Sequence, residues 1–463
     1  MSKKEFYSGF TGIVRGVNPV DVPQISFSTL DNYVPTDKRD AIVKRGGSDS
    51  WTATGSILGL GEYSEQQAAF RAPNISYVFR HRRDGSDTYI EHLNWQNSTW
   101  TNNTLGTQAL SANFSSDAVA SFFQQRTLLG ICGGRPAKLA SVTGTVQRLG
   151  GPAPVTAPTI GTSGTGLTGD VVGFYTFYDS TTGWESSPSP IRDVGAVANK
   201  QLDWSALETT CAREGVDQKR LYRYQIATGE GPGFLVATIA LATTTYADTV
   251  ADASLGIQAP DANDHDPPPT SSFLGCSYAN RFWIASGSDL YYSKADDGNN
   301  YQLEYYSSSR LFRFPQKITG LAYSPQFGKL LVFQPSGKGI HYIAGRSEST
   351  FEQDEHRSDG GTDFPSSVSV KGEMIAFWDS GPRIITPSGY KEGYGDNAKD
   401  DILDIVNADQ DGDVWVWSVW HEAYKSFIWG LSATSTDIVS WEDSFASSSD
   451  WENIDTGAVV TWG

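Results

Sequence analysis

The feature that most constrains this chain is a cadence. Strand-length runs of roughly four to six residues, separated by Gly and Asp turns, return at a loose period of about 40 residues. Arg281-Phe282-Trp283-Ile284-Ala285 turns at Gly287 into Leu290-Tyr291-Tyr292-Ser293. Ile318 to Tyr323 leads to Lys329-Leu330-Leu331-Val332-Phe333, and a glycine turn then gives Gly339 to Gly345. Met374-Ile375-Ala376-Phe377-Trp378 is followed in the same way by Gly381-Pro382-Arg383-Ile384-Ile385. Near the start, Tyr77-Val78-Phe79-Arg80 and Thr88-Tyr89-Ile90 flank Asp84-Gly85, a hairpin signal because this dipeptide tolerates positive φ. Units this short cannot bury their faces alone. Arranged radially they form a propeller, which leaves only short, protected strand edges. A jelly roll or an extended meander would use the same strands.

The cadence breaks in the middle of the chain. From Gly150 to Gly169 the composition shifts to Gly, Pro, Thr and Ser, with Pro152, Pro154 and Pro158, which reads as a linker. Val171 to Tyr178 then alternates as a half-buried strand. It is followed by Gly183-Trp184-Glu185-Ser186-Ser187-Pro188-Ser189-Pro190, by Leu202 and Trp204, by Lys219-Arg220-Leu221-Tyr222-Arg223-Tyr224, by Phe234 to Ile239, and by Tyr246-Ala247-Asp248-Thr249. About seven strands in ~100 residues fit an immunoglobulin- or fibronectin-like sandwich. Asp261 to Pro269, acidic and then Pro-rich, reads as the exit linker. The expected fold class is therefore all-β: a propeller-like domain built from the N- and C-terminal parts, with an inserted immunoglobulin/fibronectin-like β-sandwich. The expected boundaries are 1–156 for the first part of the propeller, 157–262 for the insert, and 263–463 for the second part with its Trp-rich end. Ala118 to Gln125 is read as a strand rather than a short helix.

Composition narrows the function classes. With 463 residues the chain needs more than one core. Its 35 basic and 53 acidic residues give a net charge of −18, which argues against a positive groove that wraps nucleic acid. The same charge suits a surface that nucleic acid slides past without sticking. Cys132, Cys211 and Cys276 have no metal-ligand spacing and read as reduced, buried thiols. No apolar run approaches the ~18 residues of a membrane span, and the N-terminus shows no signal peptide.

No catalytic constellation stands out. His81, His92, His265, His341, His356 and His421 are scattered, with no HxxxH or HxH pair. Neither a Gly-x-Ser-x-Gly elbow nor a phosphate-binding Gly-Lys-Ser/Thr loop occurs. Asp409-Gln410-Asp411-Gly412-Asp413 has the alternation of a calcium loop, but Trp420 stands where the bidentate Glu belongs, so a hairpin turn is expected. Ser293-Lys294-Ala295-Asp296-Asp297-Gly298 and Tyr301 faintly resemble the Asp-box turn of sialidase-type propellers, at the wrong spacing. A glycosidase needs two carboxylates about 5–10 Å apart, and 53 acidic residues make any candidate pair uninformative. The expectation is no enzyme activity, no cofactor and no metal. Arg80-His81-Arg82-Arg83, the densest positive patch, reads as a solvated hairpin tip or a contact to an acidic neighbour. Trp415, Trp417, Trp420 and Trp429 suit a packed final blade. Trp441, Trp451 and Trp462 recur about every ten residues between acidic and Ser-rich spacers, and are the candidate partner-docking residues.

Three runs carry a family resemblance. The first is Gly16-Val17-Asn18, Leu30-Asp31-Asn32-Tyr33 and Lys44-Arg45-Gly46. The second is Glu185 to Pro190, then Arg220-Leu221-Tyr222-Arg223 and Tyr246-Ala247-Asp248-Thr249. The third is Leu331-Val332-Phe333, Gly339-Ile340, Ile343-Ala344-Gly345 and Phe351, then Ser366 to Val370 and Phe377. In this order they resemble the tail hub, nozzle or tail-stabilisation proteins of short-tailed double-stranded-DNA bacteriophages. The resemblance implies a virion structural protein in the phage tail, made in the host bacterial cytoplasm. It implies a cyclic ring, commonly a hexamer, below the head–tail adaptor, with tail fibres or spikes docked to it. Genomic DNA would pass through without sequence-specific binding. The competing expectations are a receptor- or carbohydrate-binding tail component and, third, a propeller glycosidase.

Overall fold

A computed structural model describes residues 120–226, 231–324, 327–335 and 337–357, together with 100–106, 361 and the further strands named below. Its regular structure is almost wholly antiparallel sheet. β1 (Tyr7–Ser8), β2 (Tyr33–Pro35) and β3 (Ala41–Lys44) form a small sheet in the order β1-β3-β2. Five four-stranded up-and-down sheets and one of three strands follow the same propeller-type plan. The first blade is β4 (Ser56–Glu65), β5 (Ile75–Asp84), β6 (Asp87–Asn94) and β7 (Trp100–Asn102). The second is β8 (Ser121–Gln125), β9 (Leu128–Cys132), β10 (Ala137–Leu139) and β11 (Gln147–Arg148). After an insertion come the third blade, β17 (Leu274–Tyr278), β18 (Arg281–Ser286), β19 (Asp289–Tyr292) and β20 (Leu311–Arg313), and the fourth, β21 (Gly320–Ser324), β22 (Lys329–Phe333), β23 (Ile340–Ala344) and β24 (Glu352–Arg357). The fifth is β25 (Ser367–Val370), β26 (Glu373–Trp378), β27 (Gly381–Thr386) and β28 (Gly389–Lys391). The sixth has three strands among the described residues, β29 (Trp415–His421), β30 (Ser426–Ser432) and β31 (Val459–Trp462).

The first strands of these sheets are neighbours in a closed cycle: β4 to β8, β8 to β17, β17 to β21, β21 to β25, β25 to β29, and β29 back to β4. The described residues thus form a six-bladed propeller closed by the N- and C-terminal parts of the chain. The sequence cadence explains why. Leu330, Leu331, Val332 and Phe333 of β22 are all buried. Strand alternation sends Leu330 and Val332 into the cluster shared with the third blade, and Leu331 and Phe333 into the cluster that holds Ile385 of the fifth. β18 does likewise, with Trp283 and Ala285 on one side and Phe282 and Ile284 on the other. A middle strand packed on both faces reads as a continuous apolar run. The outer strand β24, Glu-Gln-Asp-Glu-His-Arg, is exposed over most of its length and is polar.

Between β11 and β17 lies a five-stranded sheet in the order β15-β14-β12-β13-β16. Its strands are β12 (Thr159–Tyr178), β13 (Arg192–Ser205), β14 (Gln218–Arg223), β15 (Phe234–Ala240) and β16 (Tyr246–Asp248). The two long strands each contribute two segments, so the five strands supply seven strand segments. Residues 159–163 pair with 201–205, and 202–204 pair with β16. Farther along, 169–173 pair with 192–197, and 173–178 with β14. Register shifts at 163–172 mark where the ribbon bends. The halves fold onto each other: Ile160, Leu202 and Trp204 share one core with Val171, Tyr175, Phe177 and Leu221. At Gly173 a Cβ would lie 2.5 Å from Trp204 Cη2 and 2.7 Å from Ile160 Cδ1, so glycine permits the close approach.

Three sequence expectations are corrected. Residues 159–169 are the first half of β12, not linker; Thr and Ser alternating with Gly suit an exposed β-ribbon as well as a flexible tether. The Arg80-His81-Arg82 run is buried in the first blade rather than solvated at a tip. Arg80 Nε lies 2.5 Å from Glu91 Oε2, and Arg82 Nε 3.1 Å from the same atom, so a cross-strand carboxylate lets the cations stay inside. Asp261 to Pro269 is no free linker, because Asp264, His265 and Asp266 are held by the third blade. The strand expected near Ser121–Gln125 is present.

Candidate functional site: the joint between insertion and propeller

Among the described residues, a dense group of buried polar side chains lies at one seam, where the insertion meets blades two and three. It starts with the turn after β12. Asp179 accepts from the Thr181 and Thr182 amides at 3.0 and 3.2 Å and from Thr182 Oγ1 at 2.7 Å. Gly183 at φ +82 closes the turn. The following Glu-Ser-Ser-Pro-Ser-Pro run lies along β12 as an irregular edge. Ser186 and Ser189 donate their amides to Phe177 and Tyr175 carbonyls, and their hydroxyls accept the Phe177 and Tyr175 amides in return, at 2.9 and 3.1 Å. Pro188 and Pro190 bring no amide that would need a partner. The sequence motif is thus a hydroxyl-stitched strand edge.

Glu185 is buried and saturated. Its carboxylate accepts from Thr176 Oγ1, Tyr222 Oη and Arg220 Nη1, each at 2.6 Å. Arg223 donates to Asp248 at 3.0 Å and to Asp252 at 2.5 Å, with its side chain wholly buried. The conspicuous residues of the second resemblance run therefore form ion pairs within the insertion.

The seam itself centres on Glu304, 2 % exposed, in a short 3₁₀ turn between β19 and β20. Arg213, from the loop between β13 and β14, grips it with Nε at 2.8 Å and Nη2 at 3.0 Å. Lys138 of β10 donates to the same carboxylate, and the Gly150 amide does so at 3.0 Å. Arg213 Nη1 reaches back to Asp179 at 2.8 Å, and its guanidinium lies 4.5 Å from the Trp184 ring centroid. Burial pushes the Glu304 carboxyl upward, but the Arg213 and Lys138 charges outweigh it and hold the pKa at about 2. Burial lowers the Arg213 pKa less than Glu304 and Asp179 raise it, so the net shift is upward. Two cations and two carboxylates, from blade two, the insertion and blade three, thus form a closed, neutral cluster.

A second layer lies beside it. Glu185 donates its amide to Tyr305 Oη at 2.7 Å. His265 stacks on the Tyr305 ring at 3.8 Å with planes 1° apart, and its Nδ1 donates to the Glu185 carbonyl at 2.9 Å. Burial, with Lys294 nearby, lowers the His265 pKa to about 4. Ser187 Oγ donates to Asp266 at 2.9 Å, and Asp266 exchanges backbone hydrogen bonds with Tyr306. Lys294 and Arg310 both pair with Asp264.

Chemically this arrangement holds rather than reacts. Glu304, Glu185 and Asp179 already accept from several donors each, and Glu304 stays ionised far below neutral pH. Among the described residues, no cluster of three or more His, Cys, Asp or Glu could hold a metal ion. Cys132, Cys211 and Cys276 are free thiols, Cys132 buried and the other two half-buried. The stretch resembling an Asp box is a turn in which Asp296 accepts the Gly298 amide at 2.8 Å. Of the docking candidates, Trp462 belongs to β31, opposite Phe427 of β30. Trp441, Trp451 and the 409–413 aspartates lie outside the described residues. Glu304, Arg213, Lys138 and Asp179 were not singled out from sequence. A Glu directly between Leu303 and Tyr305-Tyr306 is the one local hint of a buried charge.

No family model matches the chain, and no curated protein matches it. Solved structures similar to it include the NanB sialidase of Streptococcus pneumoniae, at 10% identity and TM-score 0.32, covering 85% of this chain and 71% of that one. An Aleuria aurantia lectin mutant bound to alpha-methyl-L-fucoside aligns at 10% identity and TM-score 0.22, over 73% of this chain and 95% of that one. The Dos1 propeller aligns at 9% identity and TM-score 0.16, over 72% and 90%. At these scores the likeness carries no functional argument. The protein is an all-β propeller with an inserted β-unit, and its strand order defines that class. Among the described residues, no helix is long and apolar enough to cross a membrane.

Proposed function

We propose that this chain is a structural, non-enzymatic subunit of a cyclic tail ring in a short-tailed phage, conducting DNA through the ring and docking adaptor and fibre proteins. The tail assignment rests on the sequence resemblance. The observation that carries the structural role is the saturated Lys138–Glu304–Arg213–Asp179 cluster, which fixes the insertion to two blades at once. Two bodies locked in one orientation give a subunit two surfaces at a set angle, which a closed ring requires. Of the six innermost strands, β8, β17, β21, β25 and β29 contain no Asp, Glu, Lys or Arg, whereas β4 carries Glu62 and Glu65. Trp441, Trp451 and Trp462 remain the proposed docking residues.

Purified full-length protein should assemble into closed rings visible by negative-stain imaging and mass photometry. Monomers that bind glycans on an array would replace this reading with a carbohydrate-binding tail component, a function the sialidase and lectin comparisons are too remote to support. Cleavage of a polysaccharide, abolished by a single carboxylate substitution, would replace it with a glycosidase.

A further inference from the structure

The insertion ends in a strand edge that lacks charge and proline. β15, Phe-Leu-Val-Ala-Thr-Ile-Ala, carries no charge and no proline, and ends the sheet. Its first part is covered: Leu235 donates to the Ile257 carbonyl and accepts from the Gly256 amide, both at 2.8 Å. Beyond it, Leu241 donates to Asp217 of the neighbouring chain segment, and Ala240 pairs opposite Gln218. Antiparallel alternation then turns the backbone groups of Ile239 and Ala237 toward β14, and those of Thr238 and Ala240 outward. Thr238 and Ala240 are exposed. Natural sheets guard such edges with charge, proline or bulges; β15 has one bulge, at Val236, and beyond it neither charge nor proline.

The opposite side of the same half-sheet is also open. Among the described residues, 192–197 of β13 pair only with β12, because β16 covers only 202–204. Three large hydrophobics are highly exposed among the described residues, and two mark these edges: Ile257 beside β15 and Ile191 just before β13. Strand direction alternates strictly across β13, β12, β14 and β15. A second copy's β13 placed against β15 would continue that alternation. The start of its β13 would then meet the end of β15, bringing exposed Arg192 toward exposed Asp217, whose carboxylate also accepts from the Ser180 amide and hydroxyl at 2.8 and 2.6 Å.

We propose that neighbouring copies of this chain join head to tail through these edges, β15 of one pairing antiparallel with residues 192–197 of the next. The contact is heterologous, so it propagates until a ring closes. This deepens the ring reading and rests on it. Mass photometry on the full chain tests it. Thr238→Pro removes an outward amide, and Thr238→Lys keeps the amide but places a charge on the edge; both should shift assemblies to monomers with unchanged circular dichroism. Asp217→Arg should weaken assembly, and adding Arg192→Asp should restore it. Wild-type assembly that survives both Thr238 variants overturns this contact while leaving the ring intact. Loss of assembly without rescue by the charge swap overturns β13 as the partner strand. A monomeric wild type overturns contact and ring together.

Discussion

Between blades two and three, Phe123 of β8 meets Phe282 of β18 edge-on, with centroids 4.8 Å apart, among Leu128, Leu149, Ile284 and Leu303. A few residues away, the insertion meets the same two blades through Glu304, Arg213, Lys138 and Asp179. Both seams are buried, yet their chemistry is opposite. Apolar packing is non-directional and tolerates small slips between repeated blades. A bidentate Arg–carboxylate contact has one geometry, and breaking it strands a buried charge. We read the difference as a division of labour: apolar seams hold the ring of blades closed, and the ionic seam sets the angle of the insertion.

The contrast can be broken by substitution. Glu304→Ala leaves Lys138 and Arg213 facing each other without their carboxylate, and should cost about 3–5 kcal/mol in chemical unfolding. A cost below about 1 kcal/mol would mean that the ionic seam is not closed. In the apolar seam, Gly275→Ala places a Cβ 2.0 Å from Phe123 Cε1, and overpacking there should cost about 1–3 kcal/mol. Phe123→Leu in the same chain should recover part of that loss in the same unfolding assay.

Acid sharpens the comparison with the smallest effect. His265 has its pKa lowered from 6.5 to about 4, so the unfolded chain takes up this proton more readily than the folded one. Its contribution is present above pH 6.5 and is lost as pH falls toward 4. Glu304, lowered from 4.5 to about 2, adds a second loss between those values, because the unfolded carboxylate protonates first. His265→Phe keeps a ring stacked on Tyr305, and thermal melts across pH should show the loss between 6.5 and 4 flattened. The apolar seam has no counterpart in this range. Its titratable members, Cys132 and Tyr306, are pushed upward by burial, away from acid.

Much of the propeller was legible because its signals are local. The run Leu330 to Phe333 announces a middle strand, and Asp84-Gly85 announces a two-residue hairpin that pairs Asp84 with Asp87. The Gly/Thr/Ser stretch from 161 to 166 was misread because a polar ribbon and a tether share a composition; only pairing with 199–205 tells them apart. Arg80 and Arg82 were misread because basic residues in a row look solvated until Glu91 is seen across the hairpin. The Glu-Ser-Ser-Pro-Ser-Pro run carries part of the family resemblance, but its hydroxyl stitching to β12 depends on contacts that no periodicity encodes.

The sequence by itself determined the strands, the turns, the presence of an insertion and the all-β class. Alternation and turn chemistry act over a few residues and can be read along the chain. Tertiary structure alone decided which charges meet: Glu304 finds Lys138 across 166 residues and Arg213 across 91. Such partners are chosen by three elements arriving at one buried seam. Five of the six blades carry Asp, Glu, Lys or Arg on their strands, and only enclosure makes one carboxylate's partners obligatory.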